Sequence, residues 1–159
     1  MRLKDMLKVE HCKIGINAKS KDDILHELAE FLSASHKGII DKEDAYKSLK
    51  ERENKGSTGI GKGLAVPHGQ SDKLNGIALI IAYDKNGKDF NSYDNRPTHL
   101  FFVGITSSEY NPNDHLKLLK IIAAIFEKSN IAQQLETVKE PADIYNLIIK
   151  KEEEILYKF

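Results

Sequence analysis

Cysteine is almost missing from this chain. Among 159 residues Cys12 stands alone, so no internal disulfide can form and no multi-cysteine metal site is available. A surplus of charge of either sign is also missing, since 24 Lys and Arg face 24 Asp and Glu. A nucleic-acid binder held by bulk electrostatics needs a cationic surplus, so that class is disfavoured. Long apolar runs are lacking too. The longest is Ile77 to Tyr83, far short of the roughly 20 residues that span a bilayer. Arg2, Lys4 and Asp5 break up the start of the chain, which leaves no apolar core for a secretory signal. Proline is scarce, and Pro67, Pro97, Pro112 and Pro141 all sit where elements would begin or end. What remains is 40% hydrophobic and 30% charged, the composition of a globular protein with a proper core. The expectation is one cytoplasmic domain over 1–159.

The pattern along the chain predicts helices at both ends and strands between. Ser20 is an N-cap candidate, and Ile24, Leu25, Leu28, Phe31 and Leu32 fall on one helix face. Gly38 stops that helix. Asp41 opens a second one, reaching about Asn54. Gly56 to Gly63 holds four glycines and reads as a loop. Leu64-Ala65-Val66 reads as extended, since the residue before proline is steered from the helical region. Ile77 to Tyr83 and His99 to Thr106 are apolar on both faces, as in buried strands. Asp84 to Gly87 reads as a turn. Pro112 favours a helix start, and Leu116, Leu119, Ile122, Ala123 and Phe126 continue at helical spacing over 113–128. Helical segments follow at 131–138 and from Pro141 to about Glu154, with Lys150 to Glu154 read as a solvated end. The predicted fold class is α/β: a mixed β-sheet flanked by helices on both faces.

Chemistry concentrates in the middle. Gly56-Ser-Thr-Gly-Ile-Gly-Lys62 follows the GxxxxGK pattern of nucleotide-binding loops. Gly63, however, stands where the magnesium-holding Ser or Thr belongs. The context is inverted as well, because a helix precedes this loop and an extended segment follows it. Nucleotide hydrolysis is therefore rejected. Glycine backbone N–H groups can still turn inward on an anion, and Ser57, Thr58 and Gly59 are phosphoryl-binding candidates. Arg52, just upstream, can grip phosphate with a forked pair of hydrogen bonds. A tight turn beside a surface arginine fits the same residues. His68 tips the balance. Pro67 fixes its approach, Gly69 leaves one side of the ring open, and a largely neutral imidazole is a nucleophile. His115, in the first turn of the 113–128 helix, is the second candidate, because the helix N-terminus attracts anions. A polar residue opening a helix is its plainer reading. His11, His26, His36 and His99 read as surface or packing residues. Two histidines without a third ligand make no metal site, even with Asp72 or Asp94 enlisted. Cys12 lies in a polar segment with no phosphate-cradling loop after it.

Arg52-Glu53 followed by Gly56-Ser-Thr-Gly-Ile-Gly-Lys-Gly-Leu-Ala-Val-Pro-His68-Gly69 resembles the signature of the fructose/mannitol-type enzyme IIA of the bacterial phosphotransferase system. Asp114 to Leu119 is similar to that family's second histidine segment, and Ile144 to Ile149 to its helical tail. Thr98-His99 departs from the pattern, since it separates the Asp94–Pro97 turn from the apolar run. The resemblance implies a mixed sheet between helices, with His68 phosphorylated by the phosphorylated histidine phosphocarrier protein. It implies transfer to a cysteine of a separate enzyme IIB, or action on a regulatory target protein. Arg52 and His115 match family positions that help hold the phosphoryl group. No metal, nucleotide or other cofactor is implied. The Gly-Ser-Thr-Gly-Ile-Gly wording favours the nitrogen-type regulatory branch; a fructose-, mannitol- or galactitol-type transporter component is the alternative. A binding module that is never phosphorylated stands as a third reading, opposed by the intact His68, Arg52 and His115.

Overall fold

A computed structural model describes residues 2–156, so the ends of the expected 1–159 domain lie outside it. Five α-helices surround one sheet. They are α1 (Lys21–Ser35), α2 (Lys42–Glu53), α3 (Pro112–Lys128), α4 (Ile131–Leu135) and α5 (Pro141–Leu156). The strands are β1 (Cys12–Ile14), β2 (Gly59–Gly61), β3 (Leu64–Ala65), β4 (His68–Ser71), β5 (Ile77–Lys88) and β6 (Thr98–Ser107). The sheet runs β1-β5-β6-β3-β2, with β4 also on β6. β5 and β6 are antiparallel, while β1 on β5 and β3 and β4 on β6 are parallel.

Local chemistry sets the helix ends. The side chains of Ser20, Asp41 and Asn111 accept backbone N–H groups of Asp23, Glu43 and Asn113, satisfying donors that a helix start leaves open. Beyond Ser35 the Gly38 N–H closes on the Ser33 carbonyl, with Gly38 in the left-handed region at φ +74°.

β5 and β6 are covered on both faces. Ile80, Phe101, Val103 and Ile105 join Ile24, Leu25, Leu28, Leu32 and Leu49 of α1 and α2. Leu79, Ile81, Leu100 and Phe102 point the other way, into a core with Leu118, Ile122, Ile144 and Ile148 of α3 and α5. Each strand therefore alternates between two apolar environments, which is why its sequence shows no polar face.

Several elements depart from the sequence reading. The glycine segment is not all loop: Gly59–Gly61 pairs antiparallel with Leu64–Ala65, and Lys62 and Gly63 turn between them at φ +57° and +86°. The Asp84–Gly87 turn lies inside β5. Tyr83 faces Leu100 and Lys88 faces Thr98, so β5 carries three extra residues there. Buried Asp84 organises that bulge. Its Oδ1 accepts the Asn86 and Gly87 N–H groups at 3.0 Å each, and its Oδ2 accepts Ile16 N–H at 2.9 Å. Cys12, in its polar segment, is itself buried in β1, where burial pushes its thiol up to about 12. The 150–154 charge run is only partly solvated. Lys151 and Glu152 are buried, and Glu152 Oε2 accepts Leu3 N–H at 2.7 Å.

Candidate active site

β3 and β4 are one strand with a break. Leu64 and Ala65 face Leu100 and Phe101, and His68 to Ser71 face Gly104 to Ser107 in the same register. Pro67 supplies no N–H and interrupts the ladder, although its carbonyl still accepts Gly104 N–H. His68 is the first residue after that interruption. Its position along β6 is thus fixed while its side chain stands at a gap in the pairing.

The imidazole is oriented by the same gap. His68 Nδ1 lies 2.8 Å from the Val66 carbonyl oxygen. A carbonyl only accepts, so Nδ1 carries the proton and Nε2 keeps its lone pair when the ring is neutral. Burial lowers the His68 pKa from 6.5, and the Arg52 charge acts in the same direction. The Val66 hydrogen bond and Glu53 oppose them without reversing the outcome. The ring is neutral at pH 7 with Nε2 as its open nitrogen.

Around it is a cavity of about 280 Å³ whose lining includes His68, His115, Arg52 and Lys55. Ser48, Arg52 and Lys55 come from α2 and its end at i, i+4 and i+7, one helix face. Gln70 follows His68 by two along β4 and shares its side of the strand. α3 brings His115 within 5.3 Å of His68, ring centroid to centroid, at 49° between planes. Burial and then His68 lower the His115 pKa from 6.5, and its buried Nδ1 has no hydrogen-bond partner among the described residues. Arg52 Nη1 donates to the Gly56 carbonyl at 2.8 Å, which holds the guanidinium at the helix end.

Sequence reasoning placed His68, Arg52 and His115, and the structure brings these three together. It does not bring Ser57, Thr58 and Gly59 to them. Ser57 Oγ donates to the Phe90 carbonyl and accepts Gly59 N–H. Thr58 is buried, with N–H and hydroxyl both donated to the Glu53 carboxylate. A Cβ on Gly59 would sit 2.5 Å from Ser92 Oγ, so this glycine is pressed inward. Their polar groups are spent on internal partners, and none lines the His68 cavity. Glu53 anchors the loop and is itself paired with Lys21 Nζ at 2.8 Å. Gly69 also differs from expectation. Its missing Cβ would fall 2.4 Å from the Ser48 carbonyl oxygen, so glycine is there to let α2 close on β4. Ser48, Lys55 and Gln70 were missed, although their spacing from Arg52 and His68 was a signal.

The other histidines pack. His11 stacks on His36 at 4.1 Å, His26 on Tyr46 at 3.5 Å, and His99 Nδ1 donates to the Asp84 carbonyl. Asp94 accepts the Lys62 and Arg96 N–H groups and fixes a turn.

Residues 5–151 match the model of the family described as phosphoenolpyruvate-dependent sugar phosphotransferase system, EIIA 2. The chain belongs to this family. It is by that membership a phosphotransferase component. The fructose-specific EIIABC component of Bacillus subtilis is 32% identical over 149 residues, covering 93% of this chain and 23% of that protein. The nitrogen regulatory protein of Bradyrhizobium diazoefficiens is 30% identical over 148 residues, covering 93% of this chain and 95% of the relative. The chain thus spans under a quarter of the first relative and nearly all of the second. In three dimensions it resembles nitrogen regulatory protein IIA-Ntr from Neisseria meningitidis, with a TM-score of 0.83 at 23% identity, covering 92% of this chain and 98% of that one. IIA mannitol from Escherichia coli gives 0.69 at 18% identity, covering 89% and 98%. These two establish a shared fold. Among the described residues no helix is long and apolar enough to cross a membrane.

Proposed function

We propose that this protein carries a phosphoryl group on His68 Nε2. The donor is the phosphorylated histidine phosphocarrier protein. The Nε2 lone pair forms the new N–P bond while the donor's N–P bond breaks, and the donor nitrogen keeps the electron pair. The Nδ1 proton stays on its hydrogen bond to Val66. Arg52 offers charge-assisted donors to the phosphoryl oxygens, and His115 offers one more from the facing helix. Ser57, Thr58 and Gly59 act at one remove, by fixing the loop whose Gly56 carbonyl holds Arg52. The observation that carries this reading is the Nδ1 contact with Val66, which leaves Nε2 as the nucleophile beside a cationic side chain.

The role we infer is regulatory and of the nitrogen type, acting in the cytoplasm on a target protein according to phosphorylation state. Its support is the nitrogen regulatory relative matched over 95% of its length. Service to a sugar transporter, with transfer to an enzyme IIB cysteine, is the second reading, favoured by the 32% identity to a fructose-specific protein. Incubation with phosphoenolpyruvate, enzyme I and the phosphocarrier protein, followed by intact mass measurement, tests the carrier role. One added phosphoryl group, lost in acid and stable in base, is expected. No adduct, or one that survives acid, refutes the assignment. Adding the enzyme IIB candidates of the host separates the branches: rapid loss of the label to one of them selects transport.

A further inference from the structure

α1 opens on a lysine. Lys21 is its first residue, where the positive end of the helix disfavours a cation; Asp22 and Asp23, in the same turn, are the residues that end favours. Helix stability does not explain a lysine there. Its Nζ reaches across to α2 instead. It lies 2.8 Å from Glu53 Oε2, donates to Ser57 Oγ at 3.3 Å, and sits 4.8 Å from the centroid of the buried Phe90 ring.

The Glu53 side chain is 3% exposed, and Lys21 is its one ion-pair partner among the described residues. A buried carboxylate left without its cation is strongly unfavourable. Arg52 adjoins Glu53, and its guanidinium has no carboxylate partner among the described residues. It rests on the Gly56 carbonyl, and Gly56 is bracketed by the same network. Gly56 N–H donates to the Glu53 carbonyl at 3.1 Å, Ser57 is bonded to Lys21, and Thr58 N–H to the Glu53 carboxylate. Burial lowers the His68 pKa and Glu53 pushes against it, so the Glu53 charge reaches that ring. The charged and titratable groups around the ring are Glu51, Arg52, Glu53 and Lys55 from α2 and its end, and His115 from α3.

We propose that Lys21 is a positioning residue for phosphoryl transfer: by neutralising Glu53 and pinning Ser57, it keeps Arg52 on the Gly56 carbonyl at the His68 cavity. The inference rests on His68 as the phosphoryl carrier. Lys21 does not line that cavity and acts through Glu53 and the 56–58 loop.

Lys21→Met removes the charge while keeping an unbranched side chain against Phe90. Its phosphorylation by the phosphocarrier protein should slow roughly tenfold to a hundredfold, the cost of misplacing a positioned group. Followed by histidine NMR, His68 should titrate at higher pH than in wild type, because Glu53 then acts on it unopposed. Lys21→Arg restores the cation and should recover most of the rate. A role confined to stability would lower the thermal midpoint and leave the His68 titration in place. An unmoved titration in Lys21→Met overturns the proposal, as does a wild-type rate, or no recovery in Lys21→Arg. Glu53→Gln with Lys21 intact gives the opposite sign, His68 titrating lower. That variant decides where Lys21→Met fails to fold, and an unmoved or raised titration in it overturns the proposal. The titrations need no phosphoryl donor, so a wild type that is never phosphorylated refutes the carrier reading, and an unmoved His68 refutes this inference alone.

Discussion

In the proposed transfer His68 and its two neighbours divide the work by geometry. The loose transition state of phosphoryl transfer spreads charge over the equatorial oxygens, so the protein contributes mainly position and electrostatics. Removing one preorganised donor should slow transfer by roughly tenfold to a thousandfold. Arg52→Ala and His115→Ala are expected to fall in that range with near-native thermal midpoints, because neither residue belongs to an apolar core. Arg52→Lys should recover little, since a point charge does not reproduce the fork. Phosphorylation rates set beside thermal midpoints check this; unchanged rates in all three variants would remove both residues from the site. The pH dependence follows from the lowered His68 pKa. The reactive neutral ring persists as pH falls through 6.5 and is lost only below it. The rate should hold to below pH 6.5 and then drop, and Arg52→Ala should move that drop to higher pH by removing a neighbouring cation. That these three residues share one cavity was legible because their signals are local: a Pro-His-Gly break, a helix end, a helix start. Ser57, Thr58 and Gly59 were misjudged because the groups that claim them, Glu53, Phe90 and Ser92, are settled by tertiary packing.

The elements that place the site are α2 and the interrupted β3–β4 strand. Their contact passes through Gly69, whose absent side chain admits the Ser48 carbonyl. Gly69→Ala puts a methyl group where backbone oxygen already is, so α2 must shift and carry Arg52 with it. Overpacking of this kind costs about 1–3 kcal/mol. A lower thermal midpoint together with slower phosphorylation is expected; a variant equal to wild type in both would show that α2 need not lie so close. Helix bounds could be read closely from caps and periodicity. β1 and β4 could not, because three or four residues carry too little alternation to register. The β5 bulge was hidden for another reason. Asp84 and Gly87 do make a turn, but β6 recaptures the strand at Lys88, and that is a long-range event.

At the scale of the whole molecule, two apolar runs bounded by helical segments were enough to indicate a sheet covered on both faces. What composition could not show is how the histidines are spent. His11, His36, His68 and His115 all have pKa values below 6.5, burial being the first cause in each. The unfolded chain then takes up protons near pH 6.5, before the folded one does. Stability falls wherever the unfolded state binds more protons and pH decreases. Urea midpoints should therefore be steady above pH 7, decline from about 6.5 downward, and lose this dependence below the folded-state values. His36→Gln, which removes one partner of the His11 stack, should flatten the decline. Midpoints that rise on acidification would contradict the burial of neutral imidazoles.

The central claim is that the phosphoryl group rests on Nε2 of His68 while Nδ1 keeps its proton against Val66. ¹⁵N NMR of histidine-labelled protein, recorded before and after phosphorylation by the phosphocarrier protein, reads this directly. The account expects one ring to change, at Nε2, with its Nδ1 still protonated, and no such change in His68→Ala. Phosphorylation at Nδ1 of His68, or on His115, would contradict it.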